Sequence, residues 1–335
     1  MPTRWSVTPR LSPVRVADRG RAGFLLGVGL LWLTLGVAAL AASPHDYAHR
    51  FEVAWNLVEQ RYWDVGGLKV DWQQMRRQYE PQAIQARDNA AFYAVLVAMY
   101  GRIQDGHSVF VPPERVAEIH RLYGDLPCLG VFGMAQASTS HDHVSYRMLD
   151  GSIGYVRLSD LASDGVATDV RSAVTVLQAA GARSLILDLR GNPGGRLVSM
   201  MRVAGIFTRG FLWRVVTRWA LPLPYPAIGP VATQLPLAIL IDGDVNSAAE
   251  GLAGALQMQG RATVFGATSA GNVEAVLPFC LADGSQAWIA TGVLAPIGAP
   301  TWEGRGVVPD RPTDPADALG AATAWLRARA AEGRP

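Results

Sequence analysis

The sequence predicts a mixed α/β fold in which a helical segment precedes a mainly parallel sheet, and three observations carry that expectation. After Gly151, short continuous apolar runs alternate with longer amphipathic stretches. Before Tyr100, apolar residues recur at intervals near three and four. Two of the apolar runs end in glycine-rich or Gly/Asp/Asn turns that lead directly into a helix. Buried parallel strands read as unbroken apolar runs because both faces are covered, whereas helices show the 3.6-residue period.

Residues 23–42 form a charge-free apolar run preceded by Arg4, Arg10, Arg15, Arg19 and Arg21. About twenty such residues suffice to cross a bilayer, and the basic flank directs the chain after the run outward. Ala39-Leu40-Ala41 also satisfies a small-x-small cleavage pattern, so residues 1–43 read as a signal peptide or a retained membrane anchor, with localisation extracytoplasmic (periplasmic). Residues 44–112 read as a helical cap, in which Phe51, Ala54, Trp55, Val58 and Trp63 share one face. Residues 113–150 read as connecting loops and short strands. Residues 151–335 form the core: strands are expected at 153–159, 184–189, 237–242 and 262–267, and helices at 166–182, 196–207, 247–260 and 315–333.

Of 335 residues, half are hydrophobic and 17% charged, which suits a buried core of ordinary size. The formal net charge is only +2 and the arginines form no stripe with interleaved aromatics, so no nucleic-acid partner is expected. Lys69 is the only lysine, so any lysine-dependent chemistry must use it. Cys128 and Cys280 are the only cysteines, and the sequence leaves their pairing open.

The segment LAILIDGDVNSAAEGLAGALQ takes an apolar strand through a tight turn to Ser247, which opens a helix. That setting exposes a nucleophile at the carboxyl end of a sheet, although Ser247 and Glu250 also spell a simple capping box. SLILDLRGNPGGRLVSM repeats the strand-turn-helix pattern, and the amides of Gly194 or Gly195, with that of Ala248, could form an oxyanion hole. In RIQDGHSVFVPPER, His107 lies among small turn residues and is the histidine best placed to activate a serine hydroxyl. Glu303, in TWEGRGVVPDRP, is a carboxylate able to orient that imidazole or an ordinary loop glutamate. His141 and His143 have the spacing of a strand-face metal pair but no further ligands, and no metal or cofactor is expected.

Taken together, DGHS, LILDLRGNPGG, NSAAEGLAGALQ with GRATVFGATSAGN, and EGRGVVPD resemble the ordered motif series of the tail-specific (C-terminal processing) serine peptidase family. The resemblance spans roughly residues 50–325. It implies a crotonase/ClpP-like spiral β/α core. In the processing-protease branch a lysine follows the nucleophile helix, but the corresponding position here is Asn272. The tricorn-like branch instead uses a histidine and a glutamate at positions matching His107 and Glu303, with a serine where this chain has Gly106. The 40 or so residues before Asp150 are about half of what the family's PDZ domain needs, so none is expected.

The resemblance therefore implies a serine peptidase acting on a peptide or protein substrate: Ser247 as nucleophile, His107 as base and Glu303 as its orienting carboxylate. Two alternatives stay open. One is a non-catalytic ligand-binding protein of the same fold, as in the family's retinoid-binding repeats. The other is a crotonase-type enzyme acting on acyl thioesters. The sequence sets neither the physiological substrate nor the oligomeric state.

Overall fold

The computed structural model describes residues 46–123, 143–150 and 152–332. The apolar run at 23–42, His141 and Cys128 lie outside them. No helix among the described residues is long and apolar enough to cross a membrane. Cys280 is disulfide-bonded.

Three helices come first: α1 (Tyr47–Arg61), α2 (Trp72–Ile84) and α3 (Asn89–Tyr100). Each is started by an aspartate, Asp46, Asp71 or Asp88, whose carboxylate accepts from the amide three residues on. Such caps contribute about 1 kcal/mol each. Trp55 and Trp72 lock α1 to α2 reciprocally, each indole donating to the other's carbonyl at 3.0 and 3.2 Å. These helices share a core with Phe110, Phe279, Ala287, Ile289 and Ala290, which belong to a sheet rather than to the cap.

That sheet was not foreseen from the sequence. It contains β1 (Val109–Val111), β5 (Phe211–Val216), β6 (Leu223–Pro226), β9 (Glu274–Cys280) and β10 (Gln286–Pro296), all antiparallel, in the order β1-β10-β5-β6 with β9 also on β10. Strands β5, β6 and β9 are half-exposed, and β6 and β9 carry Pro224, Pro226 and Pro278, so they lack the continuous apolar signature of the parallel strands; β10 is buried along nearly its whole length, but Gln286 and Thr291 interrupt its apolar run.

The second sheet has the order β11-β8-β7-β4-β3-β2: β2 (Val144–Leu149), β3 (Ile153–Leu158), β4 (Ser184–Asp188), β7 (Leu237–Ile241), β8 (Thr263–Gly266) and β11 (Arg311–Pro312). It is parallel except for the β2–β3 pair. Helices α5 (Val166–Ala179), α6 (Leu197–Phe207) and α7 (Ala248–Met258) pack on one face, and α8 (Ala318–Ala331) covers Tyr155, Ile186, Leu240 and Phe265 on the other. The expected two-faced parallel sheet is therefore present. Between the helical layer and β2, residues expected as loop include a helix, α4 (Pro113–Tyr123). Pro113 at its first position, Glu114 in its first turn and Arg121 in its last are ordinary helix-end signals.

Candidate active site

Parallel strands β4 and β7 deliver their carboxyl ends side by side, with Asp188 opposite Leu240. The turns after them are tied together: the Asn246 amide donates to the Asn192 carbonyl at 3.0 Å, and the Gly191 amide to Asp242 at 3.0 Å. Ser247 emerges at the start of α7 with φ 53° and ψ −122°. A non-glycine residue there costs about 1–3 kcal/mol and persists only where surroundings impose it.

Glu250 supplies that imposition. It is fully buried, and its carboxylate accepts from the Ser247 amide (2.9 Å), the Ser269 hydroxyl (2.7 Å) and the amides of Gly271 (2.6 Å) and Asn272 (3.0 Å). The sequence motif suggested a cap alone. The structure makes Glu250 the hub that joins the serine turn to the 269–272 loop, and the Ser247 amide also donates to the Asn272 carbonyl at 3.0 Å.

His107 reaches the same loop from the opposite side of the sequence. The Asp105 carboxylate accepts from the amides of His107 (2.8 Å) and Ser108 (2.7 Å), and the Ser108 hydroxyl accepts from the Ala290 amide (3.0 Å), which fastens the turn to β10. Gly106 has φ +80°, and a Cβ there would lie 2.8 Å from the Asn272 side-chain nitrogen. Asn272 thus contacts both turns, its backbone holding Ser247 and its side chain lying against Gly106.

The carboxylate beside His107 is Glu274, not Glu303. Nδ1 of His107 lies 3.3 Å from Oε2 of Glu274, whose side chain is only 4% exposed. Glu303 instead accepts from the Val273 amide at 2.7 Å. Burial and the neighbouring charge of Glu274 raise its pKa. Glu274 had no motif to mark it, since it opens an antiparallel strand that the sequence did not reveal. Burial disfavours the His107 imidazolium, but Glu274, Asp105 and the Asn272 side chain outweigh it and raise the pKa above the ordinary value.

The glycine turn needs a second correction. The Gly194 amide donates to the Asn192 side chain at 2.8 Å, so it is already engaged here. Gly194 is nevertheless close to Ser247, because a Cβ on it would lie 2.8 Å from the serine Cβ and 2.9 Å from the Ala248 nitrogen. Gly195 bridges to Leu161 through the Gly194 carbonyl and the Arg196 amide, which leaves the Gly195 amide outside the ladder. Ala248 occupies the first position of α7, where an amide has no intrahelical acceptor. Lys69 is exposed between α1 and α2. His143 pairs with Asp160 at 2.5 Å, and no cluster of three or more metal-ligating side chains occurs among the described residues.

Comparison with known proteins agrees with this architecture. Residues 152–313 match peptidase family S41, and residues 43–101 match the tricorn protease C1 domain. The chain belongs to the tail-specific peptidase family. It is 34% identical over 134 residues to a carboxyl-terminal-processing protease of Picosynechococcus, covering 40% of this chain and 32% of that protein. It is 31% identical over 181 residues to a carboxy-terminal-processing protease of Bartonella bacilliformis, covering 50% of this chain and 40% of that one. The chain thus spans about a third of the length of the curated relatives it matches. In fold it is similar to the photosystem II D1 C-terminal processing protease, with a TM-score of 0.62 at 20% identity over 81% of this chain and 94% of that one. A lipoprotein from Streptococcus agalactiae gives 0.65 at 20% identity over 84% and 97%.

Proposed function

We propose that this chain is a serine peptidase in which Ser247 attacks a peptide carbonyl and His107 takes the hydroxyl proton. The observation that carries the reading is the strained Ser247 turn, held by Glu250 and Asn272, together with a half-buried His107 lying 3.3 Å from the buried Glu274 carboxylate. Strain of this kind is stored where it serves function. With Nδ1 3.3 Å from Oε2 of Glu274, the neutral imidazole keeps its proton on that nitrogen in this reading and presents Nε2 as the acceptor. Proton transfer leaves imidazolium beside a carboxylate, which stabilises the charge that develops.

The amides of Ala248 and Gly195 supply the oxyanion donors in this reading, and the N-terminus of α7 adds a favourable dipole. Imidazolium then returns the proton to the leaving amine, and water clears the acyl-enzyme by the same base. Glu274 takes the orienting role that the motif resemblance gave to Glu303. Asn272 in place of the family's lysine, and an exposed Lys69, favour the histidine-dependent branch without a PDZ domain. The apolar run at 23–42, with its arginine flank, supports delivery across a membrane as a cleaved signal or an anchor, and a peptide or protein substrate outside the cytoplasm.

A fluorophosphonate probe tests the assignment, because it labels only an activated serine. Labelling is expected in the wild type and absent in Ser247→Ala, with the fold retained. Labelling that survives the substitution would remove Ser247 from the role.

A further inference from the structure

Glu274 is held by the helical layer rather than by its own sheet. Oε1 accepts from the Trp63 indole at 2.8 Å and from the Tyr62 hydroxyl at 3.1 Å, while Oε2 has no hydrogen-bond partner other than its approach to His107. Both donors sit immediately after α1, and the Trp63 backbone amide donates to the Ala290 carbonyl at 2.9 Å. Ala290 is also the residue whose amide donates to Ser108, next to His107. The end of α1 and the histidine turn are therefore fastened to the same point of β10.

Resting on the peptidase reading above, we infer that Tyr62 and Trp63 are positioning residues that act through Glu274: they fix one carboxylate oxygen and so aim the other at His107. A buried carboxylate with one oxygen doubly donated and the other 3.3 Å from an imidazole is fixed in its rotamer. The two donors neutralise part of its negative charge. That limits how strongly the pair binds a further proton. The helical layer would then set the pH at which the base becomes available, although it contributes no group to the reaction.

The groups facing the His107–Glu274 pair give the sign. Asp105 and Glu274 act directly on His107, Glu303 interacts with both members of the pair, Glu250 acts on Glu303, and burial with the Glu274 charge pushes the Tyr62 hydroxyl well above its usual range. All four carboxyl groups of this set remain when Tyr62 and Trp63 are changed. Removing the two donors leaves a buried carboxylate poorly satisfied while the imidazole is neutral, so the pair takes up a proton more readily. Its protonation midpoint should rise. Removing the charge itself, in Glu274→Gln, should lower the midpoint. Opposite signs separate control through the carboxylate from a simple loosening of packing.

The test uses Tyr62→Phe, Trp63→Phe and the double variant, each read in two ways. The first is the His107 imidazole titration by NMR, with the resonance assigned by its loss in His107→Gln. The second is the pH dependence of fluorophosphonate labelling. The double variant is expected to raise the midpoint by about one pH unit, which is about a tenfold slower labelling on the acid side. Tyr62→Phe removes only a hydroxyl and should shift the midpoint in the same direction by less, so the trend stands even if the double variant folds poorly. A midpoint that stays put or falls in Tyr62→Phe or Trp63→Phe would overturn the inference. Absence of labelling in the wild type, with the titration shift intact, would instead reject the peptidase reading and leave the positioning role standing.

Discussion

His107 and its two candidate carboxylates make opposite demands on the same measurement. The pKa of His107 is raised in the folded protein, so its protonation adds stability below the ordinary value of about 6.5, and that contribution is lost as pH rises through the folded value. Activity runs the other way, since the base must be neutral. The acid limb of the rate profile should therefore lie above about pH 6.5. Glu274→Gln keeps the shape but removes the charge that stabilises imidazolium. It is expected to lower the rate by at least about a hundredfold and to move that limb downward. In Glu303→Gln the amide oxygen can still accept from Val273, so a loss of less than about tenfold is expected. Steady-state pH profiles of the two variants decide between the carboxylates. A larger effect at Glu303 would restore it to the role that its motif suggested.

At the scale of elements, the site depends on two turns that must approach one another without side chains between them. Gly195 has φ +147°, and a Cβ there would lie 2.2 Å from the Leu161 carbonyl carbon. The bridge between Leu161 and Gly195 therefore requires glycine twice over, for conformation and for space. Gly195→Ala is expected to cost about 1–3 kcal/mol in stability and to remove most labelling at Ser247, because the displaced turn carries a proposed oxyanion donor. Chemical denaturation and probe labelling measure the two effects. Gly254 illustrates a different constraint in α7, where a Cβ would lie 2.5 Å from the Trp302 ring, so the helix and the loop before Glu303 pack at glycine distance.

Across the described chain, the links from the helical layer to the antiparallel sheet include the Tyr62/Trp63 end of α1 and the Arg50 cluster. Arg50 lies over the rings of Phe92 and Tyr93 and bonds Asp283, in the turn between β9 and β10, at 2.5 Å. Burial disfavours the ionised Asp283, but Ser285 and Arg50 outweigh it and hold the carboxyl below its usual range. A depressed folded pKa means that this link stabilises the protein above about pH 4 and weakens as acid protonates Asp283 through its folded value. Hydrogen exchange should accordingly show α1 and α3 losing protection below about pH 4, before the parallel sheet does. In Asp283→Asn the protection of those helices should be lower at neutral pH and less dependent on acid. Equal protection in the variant and wild type at neutral pH would make the contact incidental.

What the sequence determined by itself was whatever local pattern encodes. The parallel strands declared themselves as unbroken apolar runs because both faces are buried, and α7 and α6 were recognisable from their turns. Ser247, His107 and the Gly195 turn were legible for the same reason: small residues at a strand end mark a place where backbone must bend sharply. The antiparallel sheet was not legible, since β5, β6 and β9 are half-exposed, β6 and β9 carry proline, and polar residues interrupt the buried β10; with it went Glu274. Only the tertiary structure decided which carboxylate meets His107. That choice rests on register, with Glu274 opposite Val293 across β9 and β10, and on two donors from the end of α1 more than two hundred residues away in sequence. The same holds for Gly194, whose amide was as good a donor as Gly195 until the fold gave it to Asn192. Local chemistry names the groups that can act, but long-range packing determines the direction of each lone pair and N–H, and catalysis depends on those directions.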